Sequence, residues 1–166
     1  MDEEDFPALY NSADSASLKA QSDYFNALRL YLFLLILAAL VSFAYPSNVY
    51  AAIGSALLFL VTLGILIWLK VQKPEDIWYN GRAVAESVKT RTWRWVMKAE
   101  PYDKEVSEDQ AKRELLNDLK AILDQNRSLS HFLEWTPDLG EAISEKMVAI
   151  REIPWSKRLE VYIKDR

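Results

Sequence analysis

A chain of 166 residues has room for one membrane element and one modest helical domain, not for two cores of ordinary size. Its 20 Lys and Arg against 24 Asp and Glu leave a net charge of −4. With no basic stripe interleaved with stacking aromatics, that balance argues against a nucleic-acid partner. There is no cysteine, so disulfides and thiolate chemistry are excluded and a reducing compartment is permitted.

Residues 1–13 are acidic, carry Pro7 and offer little to pack, which predicts a flexible acidic tail. A secretory signal peptide would open with a basic stretch, whereas this chain opens Met-Asp-Glu-Glu-Asp and reaches its first lysine at Lys19, so the first apolar run is expected to be retained. Ser12 or Asp14 is placed to cap a helix that runs through Leu18, Tyr24 and Phe25 into that run. A membrane hairpin is expected over 14–73, with crossings at about 27–45 and 49–69. At 1.5 Å per residue these are helices of roughly 28 and 32 Å, matching a hydrocarbon core of roughly 30 Å. Only Pro46, Ser47 and Asn48 lie between them, turn formers that can do nothing but reverse the chain. A buried soluble hairpin is the alternative, and it would need a large surrounding core to cover helices that are apolar on every face.

Tyr45 and Tyr50 flank the turn, while Tyr24, Tyr31, Trp68, Trp78 and Tyr79 gather at the other ends, as two interfacial belts would require. The turn has no Lys or Arg, whereas the flanks carry Lys19, Arg29, Lys70, Lys73 and Arg82, so both termini are expected in the cytoplasm. Arg29, near the start of the first crossing, reads as a snorkelling side chain, with a ring of charge at a pore mouth as the alternative.

Small residues recur four apart: Ala38 and Ser42, Ala51 and Ser55, Ala52 and Ala56. That spacing lets helices approach closely. Ser55 and Thr62 share one face of the second crossing and are the candidate pore-facing residues if several hairpins surround an axis. The plainer reading has their hydroxyls bonded to their own helix. The crossings hold no carboxylate, His or Lys to relay protons or coordinate ions, so any pore would be unselective or gated by dewetting.

Pro74 should end the second crossing's helix and begin another, from about Glu75 to Lys98. Ile77, Gly81, Val84, Val88 and Trp95 form its apolar stripe. A second face carries Trp78, Arg82, Glu86, Lys89 and Trp93, with Arg82 and Glu86 at i,i+4 and Glu86 and Lys89 at i,i+3. Exposed pairs of this kind contribute only about 0.2–0.5 kcal/mol each, so this array is the candidate surface for juxtamembrane coupling or assembly. The string Trp78-Tyr79-Asn80-Gly81-Arg82-Ala83-Val84-Ala85-Glu86-Ser87-Val88-Lys89, then Thr92-Trp93-Arg94-Trp95 and Glu100-Pro101-Tyr102, directly after a two-helix hairpin, resembles the SLATT family of SMODS- and SLOG-associating two-transmembrane effector domains. The resemblance covers roughly 15–102. It implies a bacterial membrane effector encoded with nucleotide-signalling or nucleotide-sensing partners in anti-phage conflict, acting by pore formation or membrane perturbation so that the cell stops growing or dies.

Farther on, Ser107 and Gln110 fit a capping box for a helix with Ala111, Leu115, Leu119, Ile122 and Leu123 on one side, ending near Asn126. His131 is the only histidine and lacks any metal or nucleophile pattern around it. Thr136 and Pro137 are placed to open a helix burying Leu139, Ile143, Met147 and Ile150. After Pro154, Trp155, Leu159 and Tyr162 begin another amphipathic stretch that runs to Arg166 without a C-cap signal, which suggests a longer protein.

The fold class expected is therefore all-α, a two-helix transmembrane hairpin continuing into a cytoplasmic helical domain over 74–166. Two helices enclose no lumen, so a pore requires a homo-oligomer in the lipid bilayer. The competing expectation is a non-conducting membrane anchor that presents helices to a cytosolic partner. No phosphate loop, metal cluster or poised carboxylate pair speaks for an enzyme, and no cofactor is expected.

Overall fold

Asn48 sets the start of the second long helix: its side-chain oxygen accepts from the backbone N–H of Tyr50 at 2.9 Å and of Ala51 at 3.3 Å, covering two of the donors that a helix start leaves open. The computed structural model describes residues 1–103, 107–129, 131–133 and 142–165. Among them run α1 (Ala8–Ala44), α2 (Val49–Gln72), α3 (Pro74–Val96), α4 (Glu108–Gln125), α5 (Glu145–Glu152) and α6 (Trp155–Asp165), with single 3-10 turns at Glu3–Asp5 and Arg127–Leu129. No strand occurs among the described residues, so the all-α class holds.

The chain divides into two compact units, Leu18–Trp78 and Met1–Ser17 with Tyr79–Arg166. The first is the hairpin. α1 and α2 are long and apolar enough to cross a membrane, and the 24 residues of α2 would span about 36 Å. Lys73 closes α2 in the left-handed conformation, φ 47°, with its N–H bonded to the Leu69 carbonyl at 3.0 Å, and Pro74 starts α3 at the next residue. Phe33, Ile36, Leu40, Ile53, Leu60 and Ile67 all stand exposed on the hairpin. A water-facing surface of that size is untenable for a soluble protein, and a bilayer satisfies it. At the ends away from the turn the rings of Tyr24, Phe25 and Trp78 cluster, with Phe25 and Trp78 5.5 Å apart.

The second unit corrects one expectation. Residues 1–13 are not a flexible tail: α1 begins at Ala8, ahead of Ser12 and Asp14, and Phe6, Leu9, Tyr10 and Ala13 are buried. Acidic composition misled because four apolar side chains within eight residues suffice to anchor a short segment to an existing core. The amino terminus is further tied down, with Met1 ion-paired to Asp165 and the Asp5 carbonyl accepting from Ser144 Oγ at 2.7 Å.

α3 supplies the centre of this unit. Gly81, Val84, Val88 and Trp95 are buried as their spacing predicts, and Ala85, Thr92 and Val96 join them. Gly81 permits a tight crossing with the first turns of α1, since a Cβ there would lie 3.1 Å from Ser17 Cβ and 3.2 Å from the Ala13 carbonyl oxygen. α4 is capped by Ser107, whose Oγ accepts from Gln110 N–H at 3.3 Å, and buries Ala111, Leu115 and Leu119. Thr136, Pro137 and Leu139 lie outside the described residues. The helix that carries Met147 and Ile150 starts at Glu145, capped by Ser144, with Ile143 half-buried ahead of it. α6 follows Pro154 as expected, but the side chain it buries is Arg158, while Trp155 and Leu159 are exposed.

Candidate functional site

The array singled out on α3 separates into parts. Trp78 belongs to the hairpin unit through its contacts with Tyr24 and Phe25. Arg82 Nη2 meets Glu86 Oε1 at 3.0 Å, the i,i+4 pair the spacing predicts, and Arg82 Nη1 reaches Asp14 Oδ1 at 3.3 Å. Lys89 pairs with aromatic rings and is not within ion-pair distance of Glu86: its Nζ lies 5.7 Å from the Phe6 centroid and 6.0 Å from that of Tyr10. A cation over a ring face gains from the ring's negative centre. Trp93, expected on an exposed face, is fully buried between Phe6 and Tyr162, whose centroids stand 6.2 and 5.3 Å away. The exposed part of the array is thus Arg82 and Glu86, while Lys89 and Trp93 fasten the amino-terminal segment to α3. Burial pushes the Tyr10 hydroxyl up from its usual range, with Asp14, Glu3 and Glu86 adding to the push and Arg82 opposing it.

Ser55 and Thr62 do share a face, 5 and 4% exposed. In a two-helix hairpin only the facing helix can cover them, so within one chain they are turned inward and not toward a lumen. Ser55 Oγ donates to the Ala52 carbonyl at 3.0 Å and Thr62 Oγ1 to that of Phe59 at 2.8 Å, so each hydroxyl is bonded to its own helix. Arg29 is exposed, with Nη1 3.5 Å from Asn26 Oδ1.

A cluster the sequence did not single out lies at the C-terminal end of α3. The last carbonyls of a helix lack intrahelical partners and carry the negative end of its dipole, so cations settle there. Arg151 on α5, 2% exposed, donates from Nη1 to the Trp95 carbonyl, from Nη2 to the Tyr102 carbonyl at 3.1 Å and from Nε to Glu108 Oε2 at 2.9 Å. Its guanidinium also stacks 4.5 Å from the centroid of Trp95. Arg158 on α6, 4% exposed, donates to the Val96 carbonyl at 3.3 Å and lies 5.8 Å from the centroid of Trp155. Burial, then the neighbouring Arg151, lowers the Arg158 pKa from its usual value. Glu108 is subject to opposed effects: burial raises its carboxyl, but Arg151 and Lys98, the latter at 3.4 Å, outweigh this and hold it below the usual range. Tyr102, fully buried, donates to Asp118, and burial together with that bond pushes its hydroxyl far up. Asp118 is also paired with Arg91 at 3.4 Å.

This chemistry fastens helices to one another. Among the described residues no cluster of three or more His, Cys, Asp or Glu is placed to hold a metal, and His131 is exposed. Arg151 and Arg158 escape a periodicity argument because arginine is normally read as surface. The available signal was their seven-residue spacing alongside a helix, α3, that ends without a basic residue of its own beyond Arg94.

A hairpin of two apolar helices followed at once by a helix bearing the Trp, Arg and Glu string is also what comparison with known families identifies. The family model described as SMODS and SLOG-associating 2TM effector domain 3 matches residues 7–159. The chain belongs to that family. The match takes in the hairpin, the amino-terminal segment packed in the second unit, and Arg151 and Arg158, so the SLATT domain here extends well past the 15–102 suggested by resemblance. It makes this chain a two-transmembrane membrane effector. No curated protein and no solved structure matches it.

Proposed function

We propose that this SLATT chain is an oligomeric effector of the bacterial inner membrane that opens a pore or perturbs the bilayer, in anti-phage defence linked to a nucleotide signal, with growth arrest or death as the outcome. The observation that carries the reading is the hairpin itself. Its outward faces are apolar along their length, and it joins a folded helical unit without a linker, because α1 runs unbroken through Ser17 and Leu18 and only Lys73 separates α2 from α3. Two helices enclose no lumen, so several copies must assemble for ions to pass. With Ser55 and Thr62 turned inward in the single chain, a pore built from these hairpins would be lined by apolar side chains and gated by dewetting, unless assembly rotates the helices. Both termini would face the cytoplasm, where a nucleotide-signalling or nucleotide-sensing partner could reach the helical unit.

The decisive experiment reconstitutes the full chain into liposomes and measures ion flux together with the mass of the detergent-solubilised particle. Flux from a multimer supports the proposal. A chain that stays monomeric and leaves vesicles sealed in the presence of its signal overturns it. The second reading, a non-conducting anchor that displays helices to a cytosolic partner, is favoured by one observation: the only buried hydroxyls among the described residues of α2 both donate to carbonyls of their own helix, so neither has its proton to offer a lumen. Sealed vesicles and a bound partner would establish it.

A further inference from the structure

One face of α1 changes character along its length. Ser22, Asn26, Arg29, Phe33, Ile36 and Leu40 follow one another in steps of three and four residues, so they lie on a single side of the helix, and all six are exposed. The first three are hydrogen-bonded in series: Arg29 Nη1 donates to Asn26 Oδ1 at 3.5 Å and Asn26 Nδ2 to Ser22 Oγ at 3.3 Å. Phe33, Ile36 and Leu40 are 62, 59 and 59% exposed, and the whole face belongs to the hairpin unit. Arg29 sits deep for a cation. From it to the end of α1 at Ala44 the helix rises about 22 Å, whereas α2 rises about 32 Å between Val49 and Lys70. The packing agrees, since Leu30 borders the same apolar groove as Gly64 and Ile65, which stand about 8 Å nearer the turn than Lys70. A hydrocarbon core of roughly 30 Å therefore fits α2 and reaches past Arg29 on α1. A charge at that depth calls for an opposite charge beside it. No carboxylate is paired with Arg29 among the described residues, and Asp23 lies about 120° away around the helix.

We propose that this face binds an anionic phospholipid, with the phosphate on Arg29, Asn26 and Ser22 and one acyl chain along Phe33, Ile36 and Leu40. A guanidinium presents a fork of donors that matches a phosphate, and the bond to Asn26 turns Arg29 toward the headgroups while leaving donors on its fork unspent. The order of side chains along the face is the order of parts in the lipid, polar and cationic first and apolar beyond. A second copy of this chain cannot take that place, because no Asp or Glu occurs between Asp23 and Glu75 and its crossings bring no negative charge to that depth. A headgroup seated on Arg29 lies deeper than those around Lys70, so the bilayer is thinned on one side of the hairpin. The inference needs the hairpin in the bilayer and does not depend on conduction.

The test titrates the full chain, solubilised in a neutral detergent, with phosphatidylglycerol or with phosphatidylcholine of the same acyl chains, and counts bound lipid by native mass spectrometry. Phosphatidylglycerol should bind in preference. Arg29→Gln should weaken it about tenfold, the loss of one charge-assisted contact, with phosphatidylcholine little changed and Lys70→Gln close to the parent. Arg29 is exposed, so the substitution should leave the fold intact, which far-UV circular dichroism checks. Arg29→Lys, which keeps the charge and loses the fork, should retain part of the preference. Equal binding by the parent and Arg29→Gln overturns the inference. So does an equal loss in Lys70→Gln, which would reduce the preference to general charge attraction. Displacement of the lipid by millimolar glycerophosphate also overturns it, by making the ligand a soluble phosphate ester, and a fall in particle mass for Arg29→Gln with lipid binding unchanged would give the face to a protein contact instead. Lipid binding is read without ion flux, so failure of this inference and failure of the pore proposal are told apart.

Discussion

Arg151 illustrates how much a single side chain can hold when its donors are all used. It joins α5 to the end of α3, to the segment at Tyr102 and to the start of α4 through a planar fork that lysine cannot reproduce. Replacing Arg151 by Met should cost the helical unit about 3 kcal/mol, because buried carbonyls of Trp95 and Tyr102 lose their donors. Arg151→Lys should recover less than half of that, and thermal unfolding in detergent would measure both; a lysine variant as stable as the parent would refute the fork's importance. Its partner Glu108 sets a pH dependence. The folded carboxyl is held below its ordinary value near 4.5, so its contribution is fully present above about pH 4.5 and is lost as pH falls through the lowered value. Glu108 is about half exposed, which limits the effect to about 1 kcal/mol after screening. Glu108→Gln should therefore unfold earlier than the parent at pH 7, with the gap closing toward pH 3; a gap that widens in acid would contradict the sign. The seven-residue spacing of Arg151 and Arg158 was a faint signal for them and Glu108 had none, since the contacts join residues 43 to 62 positions apart and burial of a guanidinium leaves no periodic trace.

The elements were more legible than the residues between them. The two crossings, the break at Lys73 and Pro74, and the capped α4 follow from apolar run length, proline chemistry and side-chain capping, all local properties. The amino-terminal segment was not legible, because Phe6, Leu9, Tyr10 and Ala13 form too short a pattern to outweigh a run of acids, and its partners on α3 lie roughly 70 to 90 residues away. Trp93 was placed on the wrong side for the same reason: the face opposite the apolar stripe became a second buried face once that segment docked there. Gly81 records this docking. A leucine there would drive a branched side chain into the Ala13 and Ser17 backbone and should destabilise the unit by about 2 kcal/mol. Gly64 on α2 is the control, since a Cβ added there meets nothing within 4 Å and the residue borders an apolar groove of about 460 Å³. Gly64→Leu should leave the melting temperature unchanged or raise it, whereas equal losses at both positions would argue that the α1 and α3 crossing is not the close contact it looks to be.

At the scale of the whole molecule the division of labour is between a hairpin that a bilayer solvates and a helical unit with its own core, and the proposed pore requires a surface that joins one copy to another. The exposed pair Arg82 and Glu86 is the part of the α3 array left over once Lys89 and Trp93 are accounted for within the chain. Arg82 keeps Asp14 as a second partner, so Glu86→Gln removes an exposed helix pair worth only about 0.2–0.5 kcal/mol and leaves the fold intact. That small cost makes the substitution informative, because a change in particle mass could not then be blamed on unfolding. If the pair joins subunits, Glu86→Gln should lower the mass of the solubilised oligomer and weaken ion flux from liposomes in parallel, with the melting temperature of the helical unit within about a degree or two of the parent's. Unchanged mass and flux would assign Glu86 to holding Arg82 in place over Asp14 and would move the search for the subunit contact to the apolar faces of the hairpin.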